Sequence, residues 1–230
     1  MQQEIFDFRK IERLDWSDFI ISEENRDAVL SLAKWPDWNS NGLIIYGEPG
    51  AGKTHLASLW ARTANAVYIL KESLNHSPRD LFTTENNFVF DNFEDFIETA
   101  RSKFSHDWMF HFFNIVKEKN KFFLLLSRTH QSLWSVKLED LRSRLLAIPS
   151  VNIAVPGDYL LLKISQKIAK DLGITIPDDA MRYIFNTIER KVGSIADILK
   201  KLDKLSLQQK KRLSLSYVRS NLKPLKPHVF

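Results

Sequence analysis

The stretch from Leu43 to Leu56 limits what this chain can fold into more than any other. Leu43-Ile44-Ile45-Tyr46 is an apolar run, the pattern of a short buried strand. Gly47-Glu48-Pro49-Gly50-Ala51-Gly52-Lys53-Thr54 follows, with the phosphate-loop spacing of glycine, four residues, glycine, lysine and threonine. His55-Leu56 and Ala57-Ser58-Leu59-Trp60-Ala61-Arg62 then read as the opening of an apolar helix. Each residue type has a physical reason. Gly47, Gly50 and Gly52 let the backbone turn its N–H groups inward around phosphate oxygens. The helix adds the positive end of its dipole. Lys53 supplies a compact cation for the β- and γ-phosphates, and the Thr54 hydroxyl is a magnesium ligand. A chance glycine turn would not need strand, loop and helix in this order. The expectation is a site for ATP or ADP with Mg2+.

The other apolar runs predict the sheet around that loop. Ala66-Val67-Tyr68-Ile69-Leu70, Phe88-Val89-Phe90 and Phe122-Phe123-Leu124-Leu125-Leu126-Ser127 lack polar alternation, as parallel strands covered on both faces do. Between them lie a polar stretch over 71–87, helix or loop, and an aromatic-rich helix carrying Trp108, Phe110, Phe112, Phe113, Ile115 and Val116. Ahead of the first strand, Ser22 reads as the N-cap of a helix running to about Lys34, and Trp35 to Gly42 as a turn cluster. From Asp158 only helices are expected. The first ends at Gly173, the second starts at Pro177-Asp178-Asp179, Gly193-Ser194 separates a third, and Ser214 opens a short fourth. The fold class is therefore α/β, a parallel sheet with helices on both faces, followed by a small all-helical lid. The expected division is a tail over 1–13, a nucleotide-binding domain over 14–156 and a lid over 157–230.

Asp91 closes the second long apolar run, which suits it to hold magnesium through the ion's water shell. The next position, where a hydrolysing enzyme carries an acid that activates water, is Asn92, which cannot accept a proton. Weak or absent hydrolysis is expected. Glu94 lies near in sequence, with nothing in the sequence to draw it into the site. Leu141-Arg142-Ser143-Arg144-Leu145 is amphipathic and carries two arginines, either a solvated face or a guanidinium offered to another molecule's γ-phosphate.

Composition narrows the class. The 230 residues, 44% apolar and 27% charged, fit a soluble globular protein. The absence of cysteine excludes disulfides, zinc–thiolate sites and thiol chemistry. No apolar run approaches the roughly 18 residues of a membrane span. Met1-Gln2-Gln3-Glu4 has neither the basic start nor the apolar centre of a signal peptide, so a cytoplasmic protein is expected. Of the net charge of +5, residues from Lys163 onward contribute 15 basic against 6 acidic groups. Contact with nucleic acid or an acidic partner and plain solvated helix faces both remain open.

Taken in order, the phosphate loop with Thr54-His55-Leu56, Phe90-Asp91-Asn92, Leu141 to Leu145 and the helical lid resemble the AAA+ module of the bacterial replication initiator DnaA. The likeness runs from about residue 14 to 222. It implies that Phe19-Ile20-Ile21 covers the adenine and that Arg144, not Arg142, is an arginine finger acting in trans. Two features are similar to the Hda branch of that family. The chain stops soon after the lid, leaving no room for the initiator's DNA-binding domain. Gln3-Glu4-Ile5-Phe6-Asp7-Phe8 looks like that branch's clamp-binding peptide, in which Gln3 would fix the register while Phe6 and Phe8 enter a hydrophobic cleft. The resemblance implies a regulator that rides on the sliding clamp, the β subunit of DNA polymerase III. It would meet DNA through the clamp and stimulate ATP hydrolysis by DnaA. A homo-oligomer stays open, and the alternative is an independent helicase loader or DNA-remodelling ATPase. The chain departs from the family where Gly193 stands in place of a lid sensor arginine, with Arg190 and Lys191 a turn earlier. It departs again at Ser127-Arg128, where an acid is usual.

Overall fold

A computed structural model of the chain describes residues 19–83, 86–99, 103–187 and 192–222. Its elements run α1 (Arg26–Ala33), β1 (Gly42–Tyr46), α2 (Lys53–Thr63), β2 (Ala66–Tyr68), β3 (Asn87–Phe90), α3 (Phe93–Thr99), α4 (Lys103–Glu118), β4 (Phe123–Ser127), α5 (Glu139–Leu146) and β5 (Ser150–Asn152). The helices α6 (Asp158–Asp171), α7 (Asp178–Thr187), α8 (Val192–Gln209) and α9 (Leu215–Asn221) follow. The chain divides into two compact units between Ala154 and Val155.

In the first unit the five strands form one parallel sheet, ordered β2-β3-β4-β1-β5. The apolar runs lack alternation because both faces of the sheet are covered. Ile44, Phe88, Phe90, Phe123 and Leu125 enter a core with Phe112 of α4 and Leu141 and Leu145 of α5. Their neighbours Leu43, Ile45, Val89, Leu124 and Leu126 point the opposite way, onto Val29 and Leu32 of α1 and Leu56 and Trp60 of α2. Within the first core Phe88, Phe90, Phe112 and Phe82 meet in edge or tilted contacts, the geometry that ring quadrupoles favour.

Several local expectations are corrected. Ser22 does not cap α1. The Asn25 side chain instead accepts the Ser22 N–H (2.9 Å) and donates to Ile20 O (3.0 Å), so the helix begins after Asn25. The loop from Trp35 is more than a turn: Trp38 stacks on Trp60 at 5.5 Å and donates to Ser31 O (2.8 Å), while Trp35 meets Phe122 edge-on. The edge strand β2 stops at Tyr68, short of Ile69 and Leu70. Two 3-10 turns, Lys71–Asn75 and Pro78–Thr83, fill most of the stretch after it. β5, too short and polar to stand out in the sequence, flanks β1 on its other side.

The second unit packs Leu161, Met181, Ile184, Ile195, Leu199, Leu202 and Val218 into its own core. Gly173 sits at φ +69°, past the end of α6. Ser214 caps α9 by accepting the Tyr217 N–H (3.3 Å). Gly193 does not separate helices. It lies in the first turn of α8, where a glycine costs less than in mid-helix because the first N–H groups lack intrahelical partners anyway.

Candidate functional site

β1 lies between β4 and β5, so the loop that leaves it opens at the carboxyl ends of the central strands, where parallel sheets bind ligands. The loop's first residue has to be glycine. Gly47 has φ +154°, and a Cβ there would lie 2.1 Å from Ile153 O. Its N–H donates to Ser127 O (3.2 Å), tying the loop to the end of β4. Gly50 and Gly52 hold φ of 86° and 98°. Gly52 is the N-cap of α2 and offers no side-chain acceptor, so the first-turn N–H groups of an 11-residue helix stay available to an anion. Glu48 and Pro49 are exposed on the loop, and Ala51 is packed beneath it.

Lys53 is only 8% exposed, and its Nζ donates to Gly47 O (2.6 Å) and Glu48 O (3.0 Å). Burial holds the ammonium pKa below its ordinary 10.5, and the Arg128 charge pushes the same way. Asp91, Glu94 and Glu48 oppose both. A buried ammonium has three donors, and two carbonyls leave one of them for an anion. These groups fit the phosphates of a nucleotide.

Across the loop, Thr54 Oγ1 donates to Asp91 Oδ2 (2.8 Å), and Asp91 Oδ1 accepts the Asn92 N–H (2.9 Å). A hydroxyl and a carboxylate in contact fit a magnesium ion that takes its other ligands from water and phosphate. Among the described residues no cluster of three or more His, Cys, Asp and Glu could hold a metal by itself. Asn92 is exposed and has φ +51°, a left-handed conformation that asparagine tolerates better than most residues.

Sequence reading found no place for Glu94; the structure gives it one. From the first turn of α3, its Oε1 accepts the Ser127 hydroxyl (2.9 Å), the Arg128 N–H and the Thr129 N–H (3.0 Å). Its Oε2 is buried without a hydrogen-bond partner. The one available signal was the spacing from Asp91, which sets Glu94 on the helical turn facing the neighbouring strand.

Of the entry segment, Phe19 stacks on His55 of α2, with ring centroids 5.5 Å apart and planes at 14°. Ile20 is anchored through Asn25, and Ile21 is 42% exposed. Arg144 does not join Lys53. Its guanidinium donates to Asn114 Oδ1 (2.8 Å), lies 4.0 Å above the Phe110 ring and approaches Asp140 at 3.9 Å, all on α4 and α5. Arg142 is exposed. Gln3, Phe6 and Phe8 lie outside the described residues, as do Arg190 and Lys191. Gly193 is exposed, with open space where a side chain would stand. No described helix is long and apolar enough to cross a membrane.

Two family models match the chain: the bacterial DnaA ATPase domain over residues 12–108, and the Hda lid domain over residues 158–222. The chromosomal replication initiator DnaA of Borrelia garinii subsp. bavariensis is 27% identical over 221 residues, covering 83% of this chain and 43% of that protein. The chain thus spans less than half the length of that relative. An uncharacterized protein of Haemophilus influenzae is 28% identical over 187 residues, covering 77% of this chain and 80% of its own length. Domain III of Thermotoga maritima DnaA superposes with a TM-score of 0.73 over 98% of this chain and 100% of that one. At 18% identity that likeness speaks for the fold alone.

Proposed function

Since this chain belongs to the DnaA-related AAA+ proteins, with an ATPase-type region followed by a lid of the Hda type, we propose that it regulates replication initiation by acting on DnaA. In this reading it binds the sliding clamp, the β subunit of DNA polymerase III, through Gln3, Phe6 and Phe8. DNA is reached through the clamp, and Arg144 is presented to ATP held by a neighbouring DnaA. The observation that carries the reading is the pairing of those two family matches on one chain.

The chain's own nucleotide, ADP or ATP, would sit in the loop from Gly47 to Thr54 with Phe19 and His55 toward the base. Thr54 and Asp91 would hold Mg2+. Nucleotide and ion supply charge and shape to the module. Lys53 holds phosphate, Asp91 orients Thr54, and Asn92 offers no carboxylate to take a proton from water. The chain's own hydrolysis is therefore weak or absent, and its catalytic contribution is to a partner's reaction. What supports this for Arg144 is its situation. The guanidinium is 37% exposed and positioned by side chains instead of being sunk in the core. A guanidinium delivered in trans to developing γ-phosphate charge is worth on the order of a thousandfold or more in rate.

The test follows hydrolysis of ATP bound to DnaA in the presence of DNA-loaded clamp and this protein. The native chain should accelerate it. Arg144→Ala should remove the acceleration while keeping clamp binding and nucleotide affinity. No acceleration by the native chain over DnaA alone, or full acceleration by Arg144→Ala, would overturn the reading.

A further inference from the structure

We propose that Arg128 is a second phosphate-binding cation of the loop, gripping the terminal phosphate of the chain's own nucleoside triphosphate and so distinguishing triphosphate from diphosphate. The inference rests on the nucleotide-site reading above and adds to it a residue and a selectivity.

Placement comes from the sheet. β4 pairs directly with β1, with Tyr46 opposite Ser127 at the end of the ladder. One residue further, Gly47 donates its N–H to Ser127 O (3.2 Å), so Arg128 starts where the phosphate loop starts. Lys53 Nζ sits on Gly47 O at 2.6 Å, which puts the loop's ammonium on the same residue that contacts β4. Two cations therefore face one short stretch of backbone.

The backbone under Arg128 is built for a fixed position. One carboxylate oxygen, Glu94 Oε1, accepts from the Ser127 hydroxyl, the Arg128 N–H and the Thr129 N–H together. Three donors on one oxygen fix the direction in which the chain leaves β4. The side chain above this anchor is exposed, and its guanidinium has no hydrogen bond or ion pair among the described residues. Its charge is nonetheless felt at Lys53, where it adds to burial in lowering the ammonium pKa. Like charges held together without an anion between them are unfavourable, and a polyphosphate removes that cost. Guanidinium offers paired donors that match a terminal phosphate's free oxygens. The β-phosphate falls to Lys53 and the loop N–H groups, which leaves the outer, γ-position for Arg128. In the other unit, Gly193 supplies no side chain at all.

The experiment titrates the full chain, with Mg2+, against fluorescent ADP and a fluorescent non-hydrolysable ATP analogue. Arg128→Ala should weaken the triphosphate analogue about tenfold, the value of a charge-assisted hydrogen bond, and leave ADP within about twofold. Arg128→Lys should recover part of the loss. Equal losses for both nucleotides, or no loss for either, would overturn the proposal while leaving the nucleotide site standing. Failure of the native chain to bind either nucleotide would overturn both readings. Arg128→Gln, which keeps the size and polarity of an exposed side chain, guards against a folding artefact. If it is folded by circular dichroism yet binds the triphosphate like the native chain, the proposal also fails.

Discussion

Lys53 and Arg144 belong to the same α/β unit, yet the structure holds them by different means. Lys53 is buried, and both its partners are backbone carbonyls of the loop that precedes it. Its position follows from the path of the chain, and no side chain need be in place to set it. Arg144 lies at the surface, and its partners are side chains: the Asn114 amide, the Phe110 ring and the Asp140 carboxylate. The difference separates a cation committed to the chain's own site from one that can be handed outward. It also says where each is vulnerable. Lys53 is lost only with its own side chain, whereas Arg144 can be disturbed through its neighbours.

The sharpest way to break this comparison is Lys53→Met. Removing a buried cation from the phosphate loop should weaken nucleotide binding by on the order of a hundredfold, read by titration with fluorescent ADP. Arg144→Ala should leave the same affinity unchanged. If Arg144→Ala weakened nucleotide binding as much as Lys53→Met, the two cations would share one site and the separation would collapse.

A smaller effect tests the side-chain cradle. Asn114→Ala removes one neutral acceptor from Arg144 without touching the loop, so nucleotide affinity should be native. Stimulation of DnaA should change by only about three- to tenfold, the scale of one hydrogen bond to a charged group. The direction is informative. A decrease means that Asn114 aims the finger, and an increase means that it restrains it. No change at all would remove Asn114 from any role in presenting Arg144.

The same contrast explains what could be read from the sequence. The loop was legible because its chemistry is local: glycines, Lys53 and Thr54 are consecutive, and the strand before them is an unbroken apolar run. The runs holding Phe88 to Phe90 and Phe123 to Ser127 were legible because a strand buried on both faces has no polar alternation to hide it. β5 was not, since three residues of Ser150-Val151-Asn152 carry almost no pattern. Nor was the start of α1, which an Asn25 side-chain turn delays beyond Ser22. The site's remaining parts come from pairs far apart in the chain. Glu94 meets Ser127 across 33 residues, and Arg144 meets Asn114 across 30. No spacing rule reaches that far, so sequence offered Glu94 without a purpose and Arg144 without its cradle.

The smallest expected effect concerns the cost of burying Lys53. Its pKa in the folded chain lies below 10.5, chiefly through burial. Between that lowered value and 10.5 the unfolded chain keeps the proton and the folded chain has released it. The unfolded state then binds more protons, and stability rises with pH. At neutral pH both states are charged, and the full desolvation cost is present. Lys53→Met has no such proton to release. Denaturant unfolding of protein free of nucleotide and metal, stepped from neutral toward pH 10, should show the native chain gaining stability relative to Lys53→Met. Tyr68 contributes with the opposite sign, because burial and Asp91 raise its pKa above 10.0. The folded chain then keeps a proton that the unfolded chain loses, but only above that pH, and the contribution cancels in the difference between variants. A flat or falling difference would mean that Lys53 is solvated in the free protein and that its carbonyl contacts do not isolate it from water.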